Sequence, residues 1–499
     1  MEAFVTSLNG ILWSTPVIYT ILAIGLIFSI LTRFLQVRHI KDMILLMFQG
    51  KSSEAGVSSF QALSIALSGR VGTGNIAGVA TAIGFGGPGA VFWMWAIAFI
   101  GASSAFVEST LAQIYKVKQD GQYRGGPAYY IEKGTGWKWY GITFALAALL
   151  AMSLLMPGVQ SNSIALGLDN AFGLNPVYTG VGLVIVLALI IFGGVKRIAN
   201  VAQFVVPFMA LGYILVSLII IAANITEVPA VFALIFKSAF ALDSAFGGIV
   251  GMAIAWGVKR GIYSNEAGQG TGAHPAAAAE VSHPAKQGLV QAFSVYIDTL
   301  FVCSATAFMI LFTGMYNTQD PEGNFIVNEL GAKVEPGPVF TQAAVESVIP
   351  IPGFGSGFVA ISLLFFAFTT IMAYYYIAET NIAYLTRGKS NKVPMFLLKV
   401  VLLGATFYGS VKTASLAWAL GDVGLGIMVW LNLIAIIILA KPALLSLKDY
   451  EEQKKQGLDP VFDPVKLGIK NADYWENEYI YEGPDSAPKL DKKNRSISS

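Results

Sequence analysis

The chain has 499 residues, 55% of them hydrophobic and only 12% charged, and its mean hydropathy is +0.63. Soluble domains carry roughly 25% charged residues, so this composition points to a bilayer. A net charge of +2, with the basic residues in short clusters between apolar runs, gives no reason to expect nucleic acid. The single cysteine, Cys303, has no partner for a disulfide or a thiolate metal site, and His274 and His283 share a loop without metal-ligand spacing. Redox and metal chemistry are therefore not expected.

Met1-Glu2-Ala3-Phe4 lacks the basic region of a signal peptide, so the first apolar run, 17–32, reads as a retained membrane helix. A broken run follows at 60–85, then runs at 89–115, 142–164, 178–194, 201–223, 240–258, 288–314, 356–384, 394–409 and 415–440. Together they make about eleven spans of the length a bilayer requires. Basic residues in short loops favour the cytoplasmic side. Arg33, Arg38, Lys41 and Lys51 fall on one side, and Lys116, Lys118, Arg124, Lys133 and Lys138 return to it. So do Lys196 and Arg197, Lys259 and Arg260, and Arg387, Lys389 and Lys392. This places the N-terminus outside an inner membrane and the tail, 441–499, in the cytoplasm. The tail is too polar to build a core alone.

Two spans are interrupted where an ordinary membrane helix continues. One break is Ser68-Gly69-Arg70-Val71-Gly72-Thr73-Gly74-Asn75, and the other is Phe246-Gly247-Gly248-Ile249-Val250-Gly251. Such glycines can serve close helix packing. They can also mark unwound segments, which persist in hydrocarbon only where a ligand, an ion or neighbouring protein satisfies the backbone. Two breaks, each leading a group of about five spans, favour the second reading and a transporter's midplane site. Amides near Asn75 suit a carboxylate, and the carbonyls before them suit Na⁺ or an ammonium group.

Arg70, Glu108, Asp298 and Glu379 lie within apolar spans, and Asp422 lies in the last, where an unpaired charge costs at least about 2.5 kcal/mol. Each is either a member of an ion pair or gate, or a ligand-binding group. Thr369-Thr370 places two hydroxyls deep in a span, where threonine bonds back to its own helix or contributes to an ion site. Hydroxyls and carbonyls without a carboxylate cluster suit a monovalent cation better than Ca²⁺.

The motifs 67–78 (LSGRVGTGNIAG), 86–95 (GGPGAVFWMW) and 261–268 (GIYSNEAG), with 293–299 leading into Cys303, resemble those of the alanine or glycine:cation symporter family, and the likeness runs from the first span to the last. The resemblance implies an all-α polytopic fold of about eleven helices. Its five-plus-five inverted-repeat core would be of the leucine-transporter type: an extra N-terminal helix at 16–34, repeats at 60–223 and 240–440, and the tail at 441–499. It implies a substrate site at Gly72, Thr73, Gly74 and Asn75, walled by Phe246, Gly247 and Gly248, with Gln160 either lining the pocket or making interhelical hydrogen bonds. It implies a Na⁺ site at Ser68, Val71, Phe366, Thr369 and Thr370, with a second Na⁺ site put in doubt by Arg70. Asn162 either lines the pocket or makes interhelical hydrogen bonds.

The expected activity is Na⁺-coupled import of a small neutral amino acid, alanine or glycine, with no cofactor and no obligatory protein partner. Glutamine or serine as substrate, H⁺ coupling through Glu108, Asp298 or Glu379, and, remotely, an ion channel are the alternatives. No nucleophile, base and orienting group fall together, so no enzyme is expected.

Overall fold

The computed structural model describes residues 2–193, 195–387, 389 and 391–479, so part of the expected tail, 480–499, lies outside the described residues. The fold is mostly helical. Its principal helices are α1 (Glu2–Leu12), α2 (Thr15–Leu31), α3 (Ser59–Arg70), α4 (Val79–Gly86), α5 (Gly89–Ile114), α6 (Lys138–Leu150), α7 (Pro157–Phe172), α8 (Pro176–Ile191) and α9 (Val195–Ala223). They continue with α10 (Val228–Ala239), α11 (Val250–Asn265), α12 (Ala273–Ala278), α13 (Pro284–Tyr296), α14 (Ser304–Thr313), α15 (Phe354–Leu385), α16 (Lys392–Ser410), α17 (Ala414–Ile438) and α18 (Ala440–Lys455). Among the described residues, seven helices are long and apolar enough to cross a membrane, and the bent pair α1–α2 makes an eighth.

Local sequence explains the elements that position the centre. Ser58 caps α3 by accepting from the Gln61 amide at 3.2 Å, and Gln61 Oε1 accepts from the Ser58 amide at 3.1 Å, a reciprocal box that fixes where the helix starts. Gly87, at φ +70°, turns α4 into α5, and a Cβ on Gly89 would lie 2.7 Å from the backbone of Ala239, so α5 can begin against the end of α10 only without a side chain. Between α6 and α7 the helix widens to five-residue turns at Ala151–Leu155 just before Pro157, which has no amide to give.

α11 and α13 pack along α5, and α4 packs on α11. α7 packs against α15 and α16, and α9 joins α3 to α15. The N-terminal pair grips the outside of this assembly: α2 lies on α5, where Gly25 admits Ile100, and Trp13 donates to the Asp422 carbonyl of α17 at 3.0 Å.

The basic loops gather at one end. Arg387 pairs with Glu132 at 2.6 Å, Gln119 of the hairpin formed by β1 (Val117–Gln119) and β2 (Gln122–Arg124) donates to the Ala383 carbonyl, and Gln61 reaches Gln203. Lys259 and Arg260 break the expected pattern. They lie not in a loop but inside α11, which runs on to Asn265, and they pair with Asp422. The run 240–258 was an unreliable guide to this helix because the glycine-rich turn before α11 is itself apolar, shifting the window toward the N-terminus.

The tail is not a loose appendage through residue 479. Glu451 on α18 accepts from Arg38 at 2.7 Å and is also bonded by Arg33 and His39. Burial pushes its carboxyl up, but the hydrogen bonds and charges of Arg38, His39 and Arg33 outweigh this and hold it below its ordinary 4.5. Farther on, Trp475 donates to the Gln113 carbonyl at 2.8 Å, Tyr474 bonds Tyr123, and both rings, with that of Tyr123, enclose the buried ammonium of Lys116 at 4.4 to 5.0 Å.

Trp475→Ala is expected to lower the stability of the detergent-solubilised protein by about 3 kcal/mol, as for other buried aromatic deletions, read as a depressed thermal midpoint; an unchanged midpoint would mean that the tail does not hold this end together. The Glu451 contribution is fully present above pH 4.5 and is lost as pH falls through its depressed value, so Glu451→Gln should remove part of the acid sensitivity of that midpoint.

Candidate functional site

The helix that starts at Ser58 stops at Arg70. Val71 leaves it at ψ 88°, and the chain re-enters through wide turns at Gly74–Gly78 before α4. Several polar backbone groups at the gap have protein partners. The Gly72 amide donates to Asn75 Oδ1 at 2.8 Å, the Thr73 amide to Gln160 Oε1 at 3.0 Å, and the Asn75 carbonyl accepts from Thr306 at 2.6 Å. The glycines here are required by proximity. A Cβ on Gly72 would overlap Thr370 Oγ1 and lie 3.0 Å from Gln160 Oε1; one on Gly74 would lie 3.1 Å from Ser264 Cα.

On the far side of this gap, Thr370 Oγ1 lies 3.4 Å from the Val71 carbonyl and 3.0 Å from that of Phe366, and Thr369 Oγ1 lies 3.0 Å from the same Phe366 oxygen. Two hydroxyls and two carbonyls thus converge between α3 and α15. Each hydroxyl proton is directed at a carbonyl, which leaves hydroxyl lone pairs for a cation. Ser68, expected beside them, directs its hydroxyl back to Ile65 of its own helix at 2.7 Å.

The second gap differs from the expected one. Phe246, Gly247 and Gly248 lie in the turn that starts α11, where Phe246 packs on Gly87 and Gly248 has no neighbour within 4 Å of a Cβ. Fourteen helical residues, on the order of 21 Å, separate them from Ser264, which touches the first gap. The helix breaks instead at residues 266–272, between α11 and α12, with Glu266, Gly268 and Gly270 all at positive φ. The two gaps face each other: a Cβ on Gly69 would lie 3.2 Å from Glu266 Oε2, and one on Gly272 would overlap the Arg70 guanidinium. The alternation Gly268-Gln269-Gly270-Thr271-Gly272 is the signal that could have located this gap.

The buried charges serve the gaps and the ends differently. Asp298 accepts from Asn75 at 2.6 Å, from Ser264 at 2.9 and 3.1 Å, and from Thr299 at 2.8 Å. Glu108 accepts from the Gly270 amide at 3.0 Å and from Asn432 at 2.7 Å, so it caps the second gap. Arg70 donates to Ser294 and to the Gln291 carbonyl. Glu379 pairs with Arg124 at 3.3 Å toward the basic end. Asn162 donates to the Gly409 and Lys412 carbonyls, an interhelical role. Toward the opposite end, Asp422 takes Arg260 in two bonds of 2.9 and 3.1 Å and Lys259 at 2.6 Å, with the Trp418 ring 4.4 Å from the guanidinium. A Cβ on Gly78 would lie 3.8 Å from Arg260 and 3.9 Å from Trp418, so this triad sits next to the first gap.

Two broken helices meeting in a bundle of membrane-length helices can be compared with known proteins. The model of the sodium:alanine symporter family matches residues 1–464. The chain belongs to that family. It is 79% identical to a putative sodium/proton-dependent alanine carrier protein of Bacillus subtilis strain 168, over 97% of this chain and 99% of that one. It is 61% identical to a sodium/proton-dependent alanine carrier protein of Bacillus sp. strain PS3, over 88% and 98%. Among solved structures it is similar to MhsT in complex with L-phenylalanine, with a TM-score of 0.55 at 18% identity over 80% of this chain and 97% of that one, a likeness of fold.

The two sets of glycines make opposite demands. Gly72→Ala should reduce uptake of labelled alanine into proteoliposomes at least tenfold, because the methyl displaces Thr370 and Gln160; Gly248→Ala, with open space around it, should leave uptake within twofold of the parent. Equal losses would return the turn at 246–248 to the site.

Proposed function

We propose that this protein is a secondary active transporter of the cell membrane that carries alanine inward with Na⁺ by alternating access. The observation that carries the reading is the meeting of the 71–73 gap with Thr369, Thr370 and the 266–272 gap, since unwound backbone inside a bilayer is kept where a ligand or ion uses it. The names of the two Bacillus relatives, both alanine carriers, supply the substrate.

In this mechanism Na⁺ is held by the Val71 and Phe366 carbonyls and the Thr369 and Thr370 hydroxyls, joining α3 to α15 and favouring the outward-facing state. Ser68 contributes through its backbone, since its hydroxyl is engaged within its own helix. The amino-acid carboxylate takes the Thr73 and Gly74 amides as Gln160 Oε1 moves off Thr73, with Asn75 steadying the gap. The Lys259–Arg260–Asp422 triad closes the outer path. We assign about eleven spans, a five-plus-five repeat at 60–223 and 240–440, an outside N-terminus and a cytoplasmic tail to this protein on the same reading. One charge crossing 100 mV releases about 2.3 kcal/mol, and a tenfold Na⁺ gradient adds about 1.4 kcal/mol, enough for accumulation of several hundredfold.

Purified protein in liposomes should take up labelled alanine when an inward Na⁺ gradient is imposed and not with choline in its place. Thr369→Ala should raise the Na⁺ concentration for half-maximal uptake at least tenfold, and Asn75→Ala should abolish uptake. Uptake that ignores Na⁺ would overturn the ion assignment.

A further inference from the structure

Four ionisable side chains converge around the two gaps, Arg70, Glu108, Glu266 and Asp298, and each is at most 2% exposed. One cation faces three carboxyl groups. Two uncompensated negative charges in an apolar interior are costly, and the three acids are not equally equipped to be ionised. Asp298 has donors on both oxygens, from Asn75, Ser264 and Thr299. Glu108 has a backbone amide and the Asn432 amide on Oε2, although its Oε1 is buried without a partner. Glu266 has only the Thr271 hydroxyl, at 2.8 Å on Oε2, while its Oε1 is fully buried without a partner.

The surroundings of Glu266 supply what proton exchange needs. A cavity of about 10 Å³ is lined by Gly69, Glu266, Thr271, Gly272 and Tyr376, room for one water molecule. Glu266 itself ends α11 in the left-handed conformation, φ +56°, a place where glycine or asparagine is usual. It is therefore a hinge residue of the second gap. Arg70 on α3, Tyr263 on its own helix, Tyr374 on α15 and Asp298 after α13 all lie within electrostatic reach of it, and Glu108 on α5 acts on the same Arg70. We infer that Glu266 is the residue that takes up and releases a proton during each transport cycle, through the water-sized cavity beside Gly69 and Thr271. This rests on the symport reading above.

The step is a plain proton transfer. A hydronium ion in the cavity gives its proton to Glu266 Oε1 on the loading side and is left as water, the neutral carboxyl no longer attracts Arg70, and the α11–α12 gap is free to shift against α3. The proton returns to water on the other side, and the carboxylate again faces Arg70. Proton uptake is thus linked to the relative movement of the two broken helices and does not occupy the Na⁺ ligands.

The test uses the full chain in liposomes with equal Na⁺ on both sides and a pH-sensitive dye inside. Addition of alanine should acidify the lumen of parent vesicles, and Glu266→Gln should lower the protons moved per alanine at least tenfold while flattening the pH profile of its uptake. Proton movement per alanine unchanged in Glu266→Gln overturns the inference. So does a parent that takes up alanine with Na⁺ but moves no protons, and in that case the symport reading stands. A parent that shows no Na⁺-driven uptake removes the symport reading and this inference with it. If Glu266→Gln does not yield monodisperse protein, Thr271→Val decides: loss of the hydroxyl bond to the carboxylate should raise the pH midpoint of uptake by about half a unit or more, and an unmoved midpoint overturns the assignment.

Discussion

Backbone that leaves a helix inside a bilayer must find its partners in the protein, and this requirement organises the centre of the molecule. The first gap draws on α7 through Gln160, α14 through Thr306 and α15 through Thr370. The second draws on α5 through Glu108 and on α17 through Asn432, which also donates to the Gly268 carbonyl at 2.9 Å. Five helices are therefore tied to two short stretches of unwound chain. The ties through Gln160, Thr370 and Asn432 are close enough to require glycine at positions 72 and 270, and the helices around the gaps cannot move without exchanging these bonds.

The same requirement accounts for most of the intramembrane charge. Glu108 and Asp298 are hydrogen-bond acceptors for the gaps and their linings before they are charges, and Asp422 and Glu379 are neutralised by neighbouring bases. The remaining imbalance is concentrated between Arg70 and Glu266, where the two gaps touch. Placing unequal charge at a hinge makes the relative position of α3 and α11 depend on protonation, whereas Asp422 is paired with Arg260 and Lys116 is held among aromatic rings. Polar groups are thus concentrated at the hydrogen-bonded gaps, with the Asp422 ion pairs and the enclosed Lys116 outside them.

The first gap could be read from the sequence because its polar Thr-Gly-Asn core and adjacent Arg70 stand out against an apolar run, and because Ser58 and Gln61 mark where the helix begins. Thr369 and Thr370 were visible as paired hydroxyls within a span. The second gap was not. Its residues are polar enough to read as a loop, while the real turn at 240–249 is rich in apolar residues and glycine and so reads as membrane. Hydropathy reports the average environment of a segment; it does not distinguish a polar stretch buried among helices from one in water. Glu266 carries no membrane signal for that reason, and the basic-side rule places Lys259 and Arg260 in a loop because it has no means of seeing that Asp422, 162 residues after Arg260, neutralises them inside the bundle.

In the proposed mechanism, binding at this centre is partner exchange. The Thr73 amide is already satisfied by a neutral carbonyl oxygen of Gln160, so a substrate carboxylate gains only the difference between a charge-assisted and a neutral hydrogen bond. A cation between Val71 and Thr370 likewise replaces hydroxyl donors that the carbonyls now accept. Each exchange is modest alone, because no bond is made without another being given up. Together they act on the same three residues of backbone, 71–73, so the ion and the carboxylate each reduce what the other must displace. In the proposed mechanism that shared stretch would give a physical basis for coupling, with the ion and the carboxylate both acting on the conformational equilibrium through one segment.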